Sequence, residues 1–166
     1  MHVHSFPPIS DPTCRVLILG SMPGKASLRA DQYYAHPQNA FWRILSEYFE
    51  IPAGGAYEQR VAGLLRHRLA VWDVLRSCTR ESSLDSDIVE ASIVPNDFAT
   101  FLFEYPAIRT ICFNGAKAET CYRRYVLPDL PEPALACHRL PSTSPANASI
   151  PYSRKLAAWQ IVSEAA

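Results

Sequence analysis

Four short apolar runs constrain this chain more than any other feature: residues 14–20, 69–73, 108–113 and 135–140. Each is rich in leucine, β-branched or aromatic residues and is closed by turn chemistry, as expected of strands buried on both faces. Helical patterns lie between them. Residues 39–49 place Phe41, Ile44, Leu45, Tyr48 and Phe49 on one face at three- and four-residue spacing. Residues 57–66, 95–105, 116–125 and 153–164 carry the same periodicity, and proline clusters at 7–12, 128–133 and 141–151 mark loops. Strand–helix alternation of this kind predicts the α/β class: a three-layer αβα domain around a central, mainly parallel four-stranded sheet.

A chain of 166 residues with 48% apolar types is long enough for one well-buried core, so a single domain over 1–166 is expected. Basic and acidic side chains balance at 16 each, which excludes a binder that coats nucleic acid through bulk charge but leaves room for a local basic patch. The basic set is 13 arginines to 3 lysines, which favours planar, bidentate contacts. No apolar stretch approaches the roughly 18 residues a bilayer requires, and the first eight residues lack a basic segment followed by an apolar one. No membrane association is therefore expected, and a cytoplasmic location is. Cys14, Cys78, Cys112, Cys121 and Cys137 are odd in number and form no CxxC pair, so neither a disulfide framework nor a metal or cofactor site is expected.

Three of the apolar runs break off directly into loops of unusual composition: 20–27, 114–117 and 141–147. In an open parallel sheet, ligands bind in the crevice beyond the carboxyl ends of the strands. One cleft lined by all three loops is therefore predicted. Gly20 and Gly24 allow close approach of backbone N–H groups, while Ser21, Ser27, Ser142, Thr143 and Ser144 add short hydroxyls suited to phosphate oxygens. Lys25 and Lys117 read as phosphate contacts rather than as amine nucleophiles. The GxxxxGK[ST] spacing of a nucleotide-binding loop is absent, and so is the GxSxG of a nucleophile elbow.

Asn114 closes an apolar strand just before Gly115, where its amide offers both a donor and an acceptor; a turn or cap asparagine is the ordinary alternative. Residues 33–42 gather Tyr33, Tyr34, His36, Asn39, Phe41 and Trp42 ahead of and into an amphipathic helix. Tyr34 can stack on a flat ring, and Asn39 can cap the helix while its amide faces the cleft. Met22, soft and adaptable, can line a pocket for a flat ligand. Trp42 is expected in the core; Asp73 at a strand end and Asp31 in a loop are the two carboxylates that could reach the cleft, with a cap or solvated loop acid as the ordinary role of each. His36 and His138 read as hydrogen-bonded histidines, with protonation of a leaving group as the alternative for each.

The stretches Gly20-Ser-Met-Pro-Gly24, Tyr34-Ala-His-Pro-Gln-Asn-Ala-Phe-Trp42, Cys112-Phe-Asn-Gly-Ala-Lys117 and Leu140-Pro-Ser-Thr-Ser-Pro-Ala-Asn147 stand in this order. Together they resemble the uracil-DNA glycosylase superfamily, and within it the hypoxanthine-DNA glycosylase branch. Trp72-Asp-Val-Leu75 and Ser83-Leu-Asp-Ser86 are similar to that branch as well, and the resemblance spans about residues 14–160. It implies that Tyr34 stacks on an extruded base, that Asn114 hydrogen-bonds the base edge, and that residues 142–146 enter the minor groove. It also implies that Asn39 carries catalysis. Where uracil-cleaving relatives hold an Asp or Asn in the first motif, this chain has Met22, which cannot position water. The hydroxyl-rich run 142–144 also lacks the histidine that uracil enzymes place there.

The expected substrate is double-stranded DNA containing a deaminated base, hypoxanthine first, acted on by a monomer without cofactor. Ser21 and Met22 are expected beside Tyr34 and Asn114 at the base, and Gly24, Lys25, Ser27, Lys117, Ser142, Thr143 and Ser144 along the DNA backbone. The flipped base would leave through a dissociative, oxocarbenium-like transition state in which water needs orientation more than deprotonation. Uracil or xanthine specificity on the same fold is one alternative. A non-catalytic nucleotide or nucleic-acid binding module is another, and a serine hydrolase built on Ser21 or Ser142 with His36 is a third.

Overall fold

All four runs form strands, and all four strands join one sheet. In a computed structural model that describes residues 1–131 and 135–166, the order is β1 (His2–His4), β2 (Val16–Gly20), α1 (Lys25–Ala30), α2 (Phe41–Tyr48), α3 (Tyr57–Arg66), β3 (Leu69–Asp73) and β4 (Leu75–Thr79). There follow β5 (Val94–Pro95), α4 (Phe98–Glu104), β6 (Thr110–Asn114), α5 (Ala116–Cys121), β7 (Ala136–Leu140), α6 (Tyr152–Ala158) and α7 (Gln160–Ala165). The central sheet runs β3-β2-β6-β7 with every pairing parallel. Part of the proline-rich loop expected at 128–133 lies outside the described residues.

Alternation along the strands divides the core in two. Leu17, Leu19, Trp72, Ile111 and Phe113 pack on one face against Phe98 and Phe101 of α4 and Cys121 of α5. Val16, Ile18, Val71 and Cys112 pack on the other against Phe41, Ile44 and Leu45 of α2, Leu64 of α3 and Trp159. A sheet covered on both faces makes both sets apolar, which is why these strands read as continuous runs rather than alternating ones. The three-layer arrangement follows.

Several elements depart from the periodicity. The helix expected over 95–105 begins at Phe98, because Asp97 caps it by accepting the Thr100 N–H at 3.1 Å and Pro95 is drawn into β5. The helix expected over 116–125 is α-helical only to Cys121 and continues as a π-helical turn, Tyr122–Val126. The C-terminal helix breaks at Trp159, whose indole N–H reaches the Pro141 carbonyl at 3.0 Å. Residues 25–27, read as the end of a loop, open the short helix α1 with Gly24 at its N-cap. A second, antiparallel sheet, β1-β4-β5, was not foreseen, since its strands are short and mix polar with apolar residues.

Candidate active site

The strands of the central sheet end together, and the loops that leave them enclose one cleft of about 630 Å³. Its walls come from the loops after β2, β6 and β7, as the sheet topology requires, and from two further segments, 33–39 and 83–86. Asn39, Tyr34 and Asn114 all line it, together with Ser21, Met22, Gly24, Lys25, Ser27, Ser142, Thr143 and Ser144. Lys117 does not. Its ammonium pairs with Glu90 outside the cleft.

Tyr34 has its backbone in the left-handed region, at φ 53°. One face of its ring is covered by Phe41, with centroids 3.9 Å apart and planes 19° from parallel. Its hydroxyl is enclosed beside the Asn114 amide but outside hydrogen-bonding geometry. Burial first, and the neighbouring Asp73 second, push the phenol pKa up, so it stays neutral. Asn39 accepts the Phe41 N–H on its side-chain carbonyl at 3.0 Å, which fixes the amide at the start of α2. The N-cap itself is Ala40, so Asn39 precedes the cap expected of it and lines the cleft.

Asn114, 9% exposed, clamps the third loop. Its Nδ2 donates to the Thr143 hydroxyl and its Oδ1 accepts the Thr143 N–H, both at 2.9 Å. One N–H and one lone pair remain for a ligand. Thr143, 1% exposed, is therefore an anchor for the loop rather than a surface contact. Gly115 makes the approach possible: its φ is +99°, and a Cβ there would come within 3.1 Å of Ser142. Ser27 is likewise turned inward, its hydroxyl accepting the Ala35 N–H at 3.1 Å, and Ser21 donates to Asp85 at 2.5 Å. Met22, 7% exposed, belongs to both the cleft wall and the core.

The floor of the cleft is acidic. Asp73 closes β3 and is 4% exposed, not a cap or a solvated acid, and its Oδ2 has no hydrogen-bond partner. Burial, and then the charge of Asp85, raise its pKa from 3.8 to about 7, with Arg80 opposing. Arg80 is itself 1% exposed and donates to the Pro23 carbonyl, pinning the first loop from beneath. Lys25, His36 and Arg139 supply basic or proton-carrying groups along the cleft wall; the His36 Nδ1 accepts the Gln38 N–H at 3.1 Å, which leaves Nε2 as the donor of the neutral ring. His138, in β7, is not part of the wall. Asp85 and Arg80 carried no site role in the sequence reading, which named Asp73 at its strand end only as an acid that could reach the cleft.

Among the described residues no cluster of three metal-ligating side chains occurs, and no helix is long and apolar enough to cross a membrane. Asn39, Tyr34 and Asn114 thus share one cleft at the ends of the parallel strands. The sequence matches the model of the Uracil DNA glycosylase superfamily over residues 7–163, and the chain belongs to that superfamily. A protein of Methanosarcina acetivorans named hypoxanthine DNA glycosylase is 41% identical over 114 residues, 68% of this chain and 71% of the relative. Another of that name, from Methanosarcina barkeri, is 37% identical over 119 residues, 71% and 74% of the two chains. The solution NMR structure of a candidate uracil DNA glycosylase from Methanosarcina acetivorans superposes with a TM-score of 0.82 at 35% identity, over 98% of this chain and 97% of that one.

Proposed function

We propose that this chain is a DNA glycosylase that hydrolyses the N-glycosidic bond of a deaminated base flipped out of duplex DNA, with hypoxanthine the base it removes best. The observation that carries the reading is the meeting of Asn39, Tyr34 and Asn114 in one cleft at the strand ends. The two relatives named for hypoxanthine support the choice of base. Met22 supports it as well, because no acid or amide stands at that position of the first motif to position water.

In this reading the base stacks on the free face of Tyr34, whose other face Phe41 backs. The remaining N–H and lone pair of Asn114 read the base edge, and Ser21 and Met22 line its pocket. Stacking and hydrogen bonds recover the few kcal/mol that unstacking costs, a cost already reduced at a mispaired base. Asn39 orients water toward C1′. Its carbonyl is held by Phe41 N–H, so the amide enters the transition state without reorganising. Gly24, Lys25, Ser27, Ser142 and Ser144 border the path of the DNA backbone, with Thr143 holding the loop in place. The reading takes a single-domain monomer, working with the genome, as the acting species.

Duplexes carrying one inosine, uracil or xanthine test this. After incubation and alkali treatment, strand cleavage at inosine, lost in Asn39→Ala, is the expected result. Tight binding without an abasic product would replace the enzyme with a binding module.

A further inference from the structure

Asp73 is the buried titratable group for which the reading above has no use. It stands at the bottom of the cleft with one carboxylate oxygen unpartnered. An ion taken out of water without a partner costs several kcal/mol, so such a group persists as the neutral acid or beside a compensating charge. The charged groups that act on it are Asp85, from the segment after β4, and Arg80, directly after β4, while the phenols of Tyr33 and Tyr34 from the segment before α2 feel its charge in turn. Arg80 spends its recorded hydrogen bond on the Pro23 carbonyl, and Asp85 is tied to Ser21. The balance raises the pKa to about 7, so that near neutral pH the protonated and ionised forms coexist.

The neighbouring strand is shaped around this acid. β2 and β3 pair Gly20 with Asp73, and a Cβ on Gly20 would come 2.6 Å from the Asp73 Oδ1 and 3.1 Å from the Tyr34 hydroxyl. The space left by the missing side chain thus holds a protonatable carboxyl beside the ring on which the base stacks. A purine leaving as an anion would depart over a floor that already holds Asp85, which makes a proton at the base worth more than it would be in water.

We propose that Asp73 is a catalytic acid of this site, its carboxyl handing a proton to a ring nitrogen of the flipped purine as the glycosidic bond breaks. The inference rests on the glycosylase reading. The C1′–N9 bond breaks and its electron pair leaves with the purine, which takes up the Asp73 proton. Water oriented by Asn39 forms the new C1′–O bond, its surplus proton passes to solvent, and solvent reprotonates Asp73. Only water is consumed.

The test is single-turnover excision of inosine from a duplex by the wild type and Asp73→Asn, from about pH 5.5 to about pH 9, with duplex affinity measured alongside. Asparagine keeps the shape and an N–H but has no proton to transfer. The variant is expected to lose about 100-fold or more in rate at low pH, in the range general acids supply, with affinity changed only a few-fold. The wild-type rate is expected to fall as pH rises through about 7, a limb the variant lacks. Equal rates for the two proteins overturn the proposal. So does a wild-type rate that is flat across the range, a result that needs no variant to fold. A wild type that binds the duplex but releases no base at any pH defeats the glycosylase reading itself, and is distinct from an active wild type indifferent to Asp73.

Discussion

Replacing Asp73 with asparagine should stabilise the protein at neutral pH and do nothing comparable in acid. The native pKa of about 7 stands well above the 3.8 of an unburied carboxyl. That gap corresponds to about 4 kcal/mol, an order-of-magnitude figure, at any pH above both values. Between about pH 4 and about pH 7 the native state binds the proton more tightly than the unfolded chain does, so wild-type stability falls as pH rises through this window and levels off above it. Asp73→Asn removes that slope. An asparagine left with unmet hydrogen bonds adds a cost of about 1–3 kcal/mol, but this cost does not vary with pH. The informative quantity is therefore the difference between variant and wild type, from which all other titrating groups cancel. Urea unfolding at about pH 4 and about pH 8 reads it, and thermal melts should move apart by about 10 °C between the two conditions. A difference that is the same at both pH values would show that Asp73 titrates as an ordinary acid, and the account of the cleft floor would fall with it.

Three further outcomes follow from side chains around the same cleft. Thr143→Val deprives the Asn114 Nδ2 of its acceptor and should cost about 1–3 kcal/mol, with faster amide exchange confined to residues 141–147; unchanged exchange there would mean that the clamp does not hold the loop. Tyr34→Phe removes an enclosed hydroxyl that has no partner and should raise the melting temperature, by about 1 kcal/mol of stability; a drop would reveal a hydrogen bond at that oxygen. Lys117→Ala breaks only a pair with Glu90, so excision and its salt dependence should stay at wild-type values, and a tenfold or larger loss, about 1.4 kcal/mol, would return the residue to the DNA path.

The central sheet was legible because its strands are buried on both faces. Leu69–Asp73 coincides with the sequence reading, and the other three strands are recovered within two residues at either end. What stayed hidden depended on contacts remote in sequence. β1 is three residues long and exists because His2–His4 pairs with Ser77–Thr79, far along the chain. The break at Trp159 comes where its indole reaches Pro141, a partner no periodicity can announce. The site shows the same division. Loops 20–27, 114–117 and 141–147 were legible because each follows a strand. The commitments of individual side chains within them were not. Thr143 and Ser142 are adjacent hydroxyls of like type, yet Thr143 is enclosed by Asn114 while Ser142 stays partly exposed on the cleft wall. Lys117 follows a cleft loop directly, and only the position of Glu90 takes it away.

Local rules are broken around the cleft, and at points outside it as well, where Arg68 has φ 64° and the Arg60 Nε, His67 Nε2 and Tyr152 hydroxyl are enclosed without partners. Tyr34 holds a left-handed backbone that a bulky residue seldom adopts, at a cost of about 1–3 kcal/mol. The Tyr34 hydroxyl, the Asp73 Oδ2 and the Arg80 Nε and Nη1 are enclosed without partners. A sequence selected for stability alone would exchange these groups for apolar ones, since none contributes a recorded side-chain contact that offsets its burial. Tyr34 and Asp73 differ from the other such groups in lining the cleft, where a flat base lying on the ring would come beside the acid. The register Gly20 opposite Asp73 then has a chemical reason, because a side chain on β2 at that point would fill the very space in which acid, phenol and base have to meet.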